Sequence, residues 1–510
     1  MRRYTTFVGL VFLSILALIA FNSIGTNSPS PTKSPTSTAT FSSVKAGLAD
    51  YYAQELIWKD CDGGFECSVL SVPLDYANPN QQAITISVIR LATESAVGSL
   101  LLNPGGPGGS GIEYVRAANY VVSSKLIKRY DIIGFDPRGV GQSTPVECLD
   151  DKQTDELIAA DGSPDNQQEI DQSVLLSKQL ASGCAEKSPE IYAHMDTVSA
   201  ARDIDILRSA LGDTKLNWLG KSYGTFLGAT YADLFPKKVG RMVLDGAIDP
   251  TLTNEKLSLG QALGFENALS RFVEDCTTHG DCPLNSSGPE GIAQVAKMLN
   301  NLDAKPGRLS DGRIFTQAMG VTGVLGSLYD KVYGWPQLRA DLSKALLGDY
   351  SGLGASLDLY ISRDENGKYT NNSNDAIAAV NCLDRPDRPT VSQTKILAAD
   401  WKVQAPRFGE YVAWSNVSCL FWKSPATGVP GPITAAGSPE ILVVGTVHDP
   451  ATPMKWAKAL ASQLSKGILL TLDGDGHTAY MQGSKCIDQV VDKYFVTGTA
   501  KPGITCTDGP

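Results

Sequence analysis

Short, nearly continuous apolar runs set the rhythm of this chain. They are Ala83–Leu91 (AITISVIRL), Gly98–Leu102 (GSLLL), Tyr130–Phe135 (YDIIGF), Lys215–Gly220 (KLNWLG), Arg241–Leu244 (RMVL), Ile441–Val444 (ILVV) and Ile468–Leu472 (ILLTL). Several show no strict apolar–polar alternation, the pattern of a strand buried on both faces of a mostly parallel sheet. Stretches with helical spacing lie between them, among them Thr197–Leu211 and Ala457–Leu464. Strands alternating with helices predict an α/β fold. From about Pro250 to Pro432 the strand rhythm stops. The pattern there is mainly helical, broken by Gly- and Asn-rich stretches near Ser286–Gly291 and Glu365–Asn374. The chain therefore divides into a first part of the α/β core at 44–249, a mainly helical cap insertion at 250–435 and a closing part of the core at 436–510.

The N-terminal stretch is different material. Arg2 and Arg3 precede an apolar run from Phe7 to Phe21, interrupted only by Gly9 and Ser14. A charged n-region followed by an apolar h-region marks an export signal, so residues 1–27 are expected to be a signal peptide or an uncleaved anchor. Residues 28–43 (SPSPTKSPTSTATFSS) carry too little apolar surface to fold and read as a spacer. The expected destination is extracytoplasmic, secreted or in the cell envelope, where cysteines pair. Joining the ten cysteines to near partners gives Cys61–Cys67, Cys148–Cys184, Cys276–Cys282, Cys382–Cys419 and Cys486–Cys506. That set is one among roughly 945 full pairings. With no CxxC pair and four histidines, a zinc site is not expected. The balance of 44 basic and 54 acidic side chains gives −10 without basic runs, which argues against a nucleic-acid partner. Membrane association is expected only through the N-terminal segment.

The strongest chemical signal is Gly220-Lys221-Ser222-Tyr223-Gly224, after a strand and before a helical stretch. A serine presented on so sharp a turn needs minimal side chains two positions away on either side, and Gly220 and Gly224 supply them. Its hydroxyl needs a base, and the base needs an orienting acid. Among the four histidines, His477 follows the run ILLTL in Gly474-Asp475-Gly476-His477, where glycines permit a turn back across the sheet edge. His279 sits between Cys276 and Cys282, His194 has no catalytic context, and His448 adjoins Asp449. Asp449 follows the strand ILVV, at the carboxyl end where open α/β sheets carry their functional groups. Asp473 and Asp475 compete for the role but stand too close to His477 in the chain. The order Ser222, Asp449, His477 is that of α/β hydrolases. Asn103-Pro104-Gly105-Gly106-Pro107-Gly108-Gly109 supplies exposed amides, so the oxyanion donors are expected to be the N–H groups of Gly106 and Tyr223. Asp136 and Arg138 are expected to brace that loop. The triad needs no cofactor.

Taken together, NPGGPGGSG, FDPRGVGQS, GKSYGTFLG, VLDGAIDP, VVGTVHDPATP and GDGH resemble, in that order, the tripeptidyl aminopeptidase family of secreted α/β-hydrolase serine peptidases, which is related to prolyl iminopeptidases. The resemblance extends from about Leu56 to near the C-terminus. It implies release of short peptides, often tripeptides, from peptide or protein substrates with free N-termini. Pro104 departs from the prolyl iminopeptidase pattern, which has histidine before the two glycines. An aminopeptidase also requires a carboxylate for the substrate ammonium, and Asp384 beside Cys382 is the candidate, with Asp245 and Asp249 next. The cap aromatics Trp401, Trp414, Phe421 and Trp422 read as core rather than pocket lining. Two other readings fit the same residues: a carboxylesterase or lipase-like hydrolase on this triad, and a non-catalytic hydrolase-fold binding protein.

Overall fold

The computed structural model describes residues 47–509, so the expected signal or anchor at 1–27 and the spacer at 28–43 lie outside the described residues. Its strands are β1 (Lys59–Asp60), β2 (Glu66–Pro73), β3 (Ala83–Leu91), β4 (Ser99–Asn103), β5 (Asp131–Phe135), β6 (Leu216–Lys221), β7 (Val239–Asp245), β8 (Gly307–Arg308), β9 (Ile314–Phe315), β10 (Ile441–His448), β11 (Gly467–Asp475) and β12 (Ile504–Cys506). All but β8 and β9 join one sheet in the order β1-β2-β3-β5-β4-β6-β7-β10-β11-β12. The pairs β1–β2, β2–β3 and β3–β5 are antiparallel; β5–β4 and every pair beyond it are parallel.

Successive side chains of a strand point to opposite faces, and here both faces are covered. Leu101, Ile133, Trp218, Met242 and Val443 enter one apolar cluster. Their neighbours Leu100, Ile132, Leu219, Val243 and Leu442 enter another on the opposite face. That double burial is why these strands do not alternate. β2 is an exception near the sheet's edge, with Val69 exposed between buried neighbours.

Helices fill the chain between β7 and β10, and β8 and β9 form a small antiparallel pair there. Asn254–Cys276, Gly288–Ala304, Gln317–Leu328, Gly334–Ala345 and Ser351–Tyr360 share one apolar cluster of their own. The helical layer also recruits chain from before β6. Ile170 packs with Trp401 and Trp414, and Arg363 pairs with Asp155 at 2.8 Å. The helix Ser373–Asp384, by contrast, buries Ala376, Ala379 and Leu383 in the cluster that holds Trp218. All five near-neighbour cysteine pairs are bonded: Cys61–Cys67, Cys148–Cys184, Cys276–Cys282, Cys382–Cys419 and Cys486–Cys506. Among the described residues no helix is long and apolar enough to cross a membrane.

Candidate active site

Ser222 occupies the turn between β6 and the helix Tyr223–Leu234, at φ 54° and ψ −122°. A non-glycine residue with positive φ is strained and persists only where its surroundings fix it. Here the Ser222 N–H donates to the Asp245 carbonyl at 2.9 Å, and its own carbonyl accepts from the Thr225 hydroxyl at 2.6 Å. The flanking glycines are required by contact. A Cβ on Gly220 would fall 2.2 Å from the Gly224 carbonyl oxygen, and one on Gly224 would fall 2.6 Å from Asn103 Oδ1.

β10 and β11 are parallel neighbours, so their carboxyl ends bring Asp449 and His477 together. His477 Nδ1 lies 2.9 Å from Asp449 Oδ1 and 3.0 Å from Oδ2. Both side chains are buried, with exposures of 1% and 0%. The Asp449 carboxylate also accepts from the amides of Ala451, Thr452 and Thr478 and from the Thr452 hydroxyl. Five donors on one carboxylate hold it in a single orientation. His477 Nε2 is buried and has no hydrogen-bond partner among the described residues, so it is free to take a proton. The segment that anchors the serine turn runs past this ring: the Asp245 carbonyl accepts the Ser222 N–H, and a Cβ on the next residue, Gly246, would come within 3.3 Å of His477 Cε1. The competing acids stand elsewhere, Asp473 exposed and Asp475 paired with Arg271 at 2.7 Å and Lys331 at 2.9 Å. His448 meets Asn267 at 3.0 Å, and His279 lies near Asp275 at the surface.

The glycine loop after β4 reaches this turn. A Cβ on Gly105 would lie 2.5 Å from the Lys221 carbonyl oxygen and 2.9 Å from Ser222 Cβ, so only glycine allows the approach. Neither the Gly106 nor the Tyr223 amide donates to another acceptor among the described residues. Asp136 braces the chain that follows, accepting from the Ser110 hydroxyl at 2.5 Å and the amides of Ile112 and Gln142. Arg138 does not share that task. Its guanidinium makes two bonds to Asp203 at 2.7 Å and three to the carbonyls of Pro73, Leu74 and His194, tying β2 to the helix Thr197–Ala210. Asp203 stands 65 residues away, and no local pattern could have shown it as the partner.

Asp384, the acid expected to meet a substrate ammonium, is buried. Its carboxylate accepts from the Thr197 amide at 2.8 Å and hydroxyl at 2.6 Å, at the start of the helix Thr197–Ala210. Burial pushes its pKa up to about 6, against the opposing pull of Arg385 and Thr197. The Thr197 hydroxyl lies 2.6 Å from the Tyr223 hydroxyl, so Asp384 reaches the serine turn through Thr197 and Tyr223. Asp245 is also buried and accepts from the amides of Ala479 and Tyr480, while Asp249 binds Thr251 and Gln463. Lys221 donates to the Tyr480 carbonyl at 2.7 Å. Asp245 and Lys221 together fasten the loop that carries His477 to β6 and β7. The cap aromatics Trp401, Trp414 and Trp422 are buried in apolar clusters. A different aromatic, Tyr329, lies edge-on to the His477 ring at 5.3 Å, and its carbonyl accepts the His477 N–H at 2.8 Å. Tyr329 stands in no motif that separates it from other tyrosines, and Thr452, although inside VVGTVHDPATP, is not singled out there. Their contacts became visible only through the fold.

A family model for the α/β-hydrolase fold matches residues 98–484. Serine protease Hip1 of Mycobacterium tuberculosis is 36% identical over 460 residues, covering 87% of this chain and 88% of its own. Carboxylesterase B of the same species is 38% identical over 453 residues, with 86% and 85% covered. Tripeptidyl aminopeptidase of Streptomyces lividans is 30% identical over 476 residues, with 88% and 86% covered. The chain belongs to the α/β-hydrolase fold family, among its tripeptidyl aminopeptidase-like serine hydrolases.

Proposed function

We propose that this protein is an exported serine exopeptidase that releases short peptides, tripeptides foremost, from free N-termini. The proposal is supported by a serine on a strained, glycine-flanked turn and, at strand ends of the same sheet, a buried His477–Asp449 pair whose Nε2 has no hydrogen-bond partner among the described residues. Ser222 Oγ attacks the scissile carbonyl carbon while His477 Nε2 takes the hydroxyl proton. The amides of Gly106 and Tyr223 donate to the resulting oxyanion. His477 then passes the proton to the leaving amine, and Asp449 holds the imidazolium throughout. A water, deprotonated by the same histidine, releases the peptide from Ser222. Residues 250–435 act as the cap that limits access, over a core made of 44–249 and 436–510. Five disulfides and the basic–apolar N-terminal sequence support an extracytoplasmic destination. Incubation with an unblocked nine-residue peptide tests the proposal by mass spectrometry. Stepwise loss of three-residue units from the N-terminus is expected, and internal or C-terminal cleavage would overturn the exopeptidase reading.

The relative named Carboxylesterase B, at 38% identity, favours a second reading in which the same serine cleaves esters. Esters and amides share the acyl-enzyme route, so the two readings separate by selectivity rather than by residues. A kcat/KM for simple acyl esters far above that for free tripeptide amides would favour the esterase.

A further inference from the structure

One face of the first cap helix, Asn254–Cys276, rests on the two loops that carry Asp449 and His477. Gly264 lies so close to the acid loop that a Cβ there would fall 2.2 Å from the Pro450 carbonyl oxygen, and a Cβ on Gly260 would fall 2.4 Å from the Trp456 ring. Gln261 donates to the Ala451 carbonyl at 3.3 Å, and Asn267 meets His448 at 3.0 Å. One turn further, Arg271 places Nε 2.7 Å and Nη2 3.0 Å from the two oxygens of Asp475. Positions 260, 264, 267 and 271 share a face at helical spacing. A second cap segment completes the contact: Lys331 Nζ lies 2.9 Å from Asp475 Oδ2, and the Tyr329 carbonyl accepts the His477 N–H.

Asp475 ends β11, Gly476 turns the chain at φ 104°, and His477 follows. The Asp475 side chain is 2% exposed, whereas those of Arg271 and Lys331 are 37% and 24% exposed. Burial raises the Asp475 pKa, but the bonds from Arg271 and Lys331 outweigh it and hold the carboxylate below its ordinary range. Asp449 holds the ring of His477 and the Thr478 amide, and Asp245 and Lys221 hold the chain beyond it at residues 479 and 480. On the N-terminal side, the backbone at residues 475–477 is held from the cap by Arg271, Lys331 and the Tyr329 carbonyl.

We propose that Arg271, Lys331 and Asp475 form a charge clamp through which the cap positions His477, so that seating of the cap and alignment of the base are one event. These three are positioning residues, acting through His477 and touching no substrate. The inference rests on the reading of His477 as the general base. It makes this side of the cap a fixed rail rather than a lid that lifts.

The test uses Arg271→Gln, Lys331→Gln, the double variant and Arg271→Lys, each assayed well below its melting temperature. Both cations are partly exposed, so these substitutions open no cavity in the core, and glutamine can still donate to buried Asp475. The melting temperature of each variant is measured first, because the double variant leaves that carboxylate without a cation. The readouts are kcat and KM on a chromogenic tripeptide and the rate at which a fluorophosphonate labels Ser222. The double variant is expected to lose about ten- to a hundredfold in kcat and in labelling rate, as small misplacements of catalytic groups do. KM should stay within about twofold, since substrate contacts are intact. Arg271→Lys should recover most of the loss of Arg271→Gln. A double variant within about twofold of wild type in kcat, a loss confined to KM, or no recovery with lysine would overturn the clamp. Ser222→Ala and His477→Ala serve as controls. If they kept wild-type activity, the site assignment itself would fall and the clamp with it. If they were inactive while the clamp variants were unaffected, the clamp alone would fall.

Discussion

Replacing Asp449 with asparagine preserves shape and removes one charge, and the structure says which way the new amide must turn. Oδ1 accepts from the Ala451 amide at 2.9 Å and the Thr452 amide at 2.7 Å. Oδ2 accepts from the Thr452 hydroxyl at 2.9 Å and the Thr478 amide at 3.1 Å. An NH2 group at the Oδ1 position would face two amides that cannot accept. At the Oδ2 position it faces one, and the threonine hydroxyl can rotate to accept. The substituted side chain therefore keeps its oxygen toward Ala451, Thr452 and His477 Nδ1. The Thr478 amide loses its partner, which costs about 1–3 kcal/mol of stability. The activity loss is larger, because a neutral amide does not stabilise the imidazolium. The equivalent change in another serine protease lowers kcat about 10⁴-fold, or roughly 5 kcal/mol of transition-state stabilisation. We expect the Asp449→Asn enzyme to fold, to melt a few degrees lower, to bind substrate normally and to turn over about 10⁴-fold more slowly. Steady-state kinetics on a chromogenic tripeptide, with thermal unfolding alongside, would measure both. A kcat within about tenfold of wild type would refute the role assigned to Asp449.

Three further outcomes are expected. Gly105→Ala would drive a Cβ to 2.5 Å from the Lys221 carbonyl and push the glycine loop off the serine turn. It should cost about 10²–10³ in kcat, as loss of an oxyanion donor does. Gly212→Ala, where φ is 78° and a Cβ meets nothing within 4 Å, is the control and should leave kcat unchanged. Arg138→Met would leave Asp203 buried without its cation and should cost about 3–5 kcal/mol in urea unfolding, with Arg138→Met/Asp203→Leu recovering part of it. Asp384 titrates near pH 6 in the folded protein against an ordinary 3.8. The fold therefore binds this proton more tightly than the unfolded chain, and ionisation destabilises it. That penalty is absent below about pH 4 and complete above about pH 6, on the order of 3 kcal/mol. Asp384→Asn should gain melting temperature relative to wild type as pH rises from 4 to 7; parallel profiles would contradict the assignment.

The main strands were legible in the sequence because both of their faces are buried, as Leu100 and Leu101 illustrate by entering opposite clusters. β2 was harder to read, since Val69 faces solvent and breaks the apolar run. Ser222 announced itself through Gly220 and Gly224, whose contacts allow no side chain. His477 and Asp449 followed from strand ends and chain order, which the parallel β10–β11 pairing converts into proximity. Long-range partners were not legible. The Asp203 partner of Arg138, the Thr197 partner of Asp384 and the Arg271 and Lys331 partners of Asp475 come from distant helices and loops. Each of these acids looks like any other until the fold places it. Asp384 shows the consequence: an acid beside a disulfide suggested a ligand, and the fold uses it to hold a helix start.

The most direct test of the whole account is one chromogenic tripeptide, offered to wild type and to Ser222→Ala with a free and with an acetylated N-terminus. The account predicts cleavage of the free form by wild type alone and little or none of the acetylated form. Equal cleavage of both forms would contradict the aminopeptidase claim and leave a broader serine hydrolase. Undiminished cleavage by Ser222→Ala would contradict the site itself.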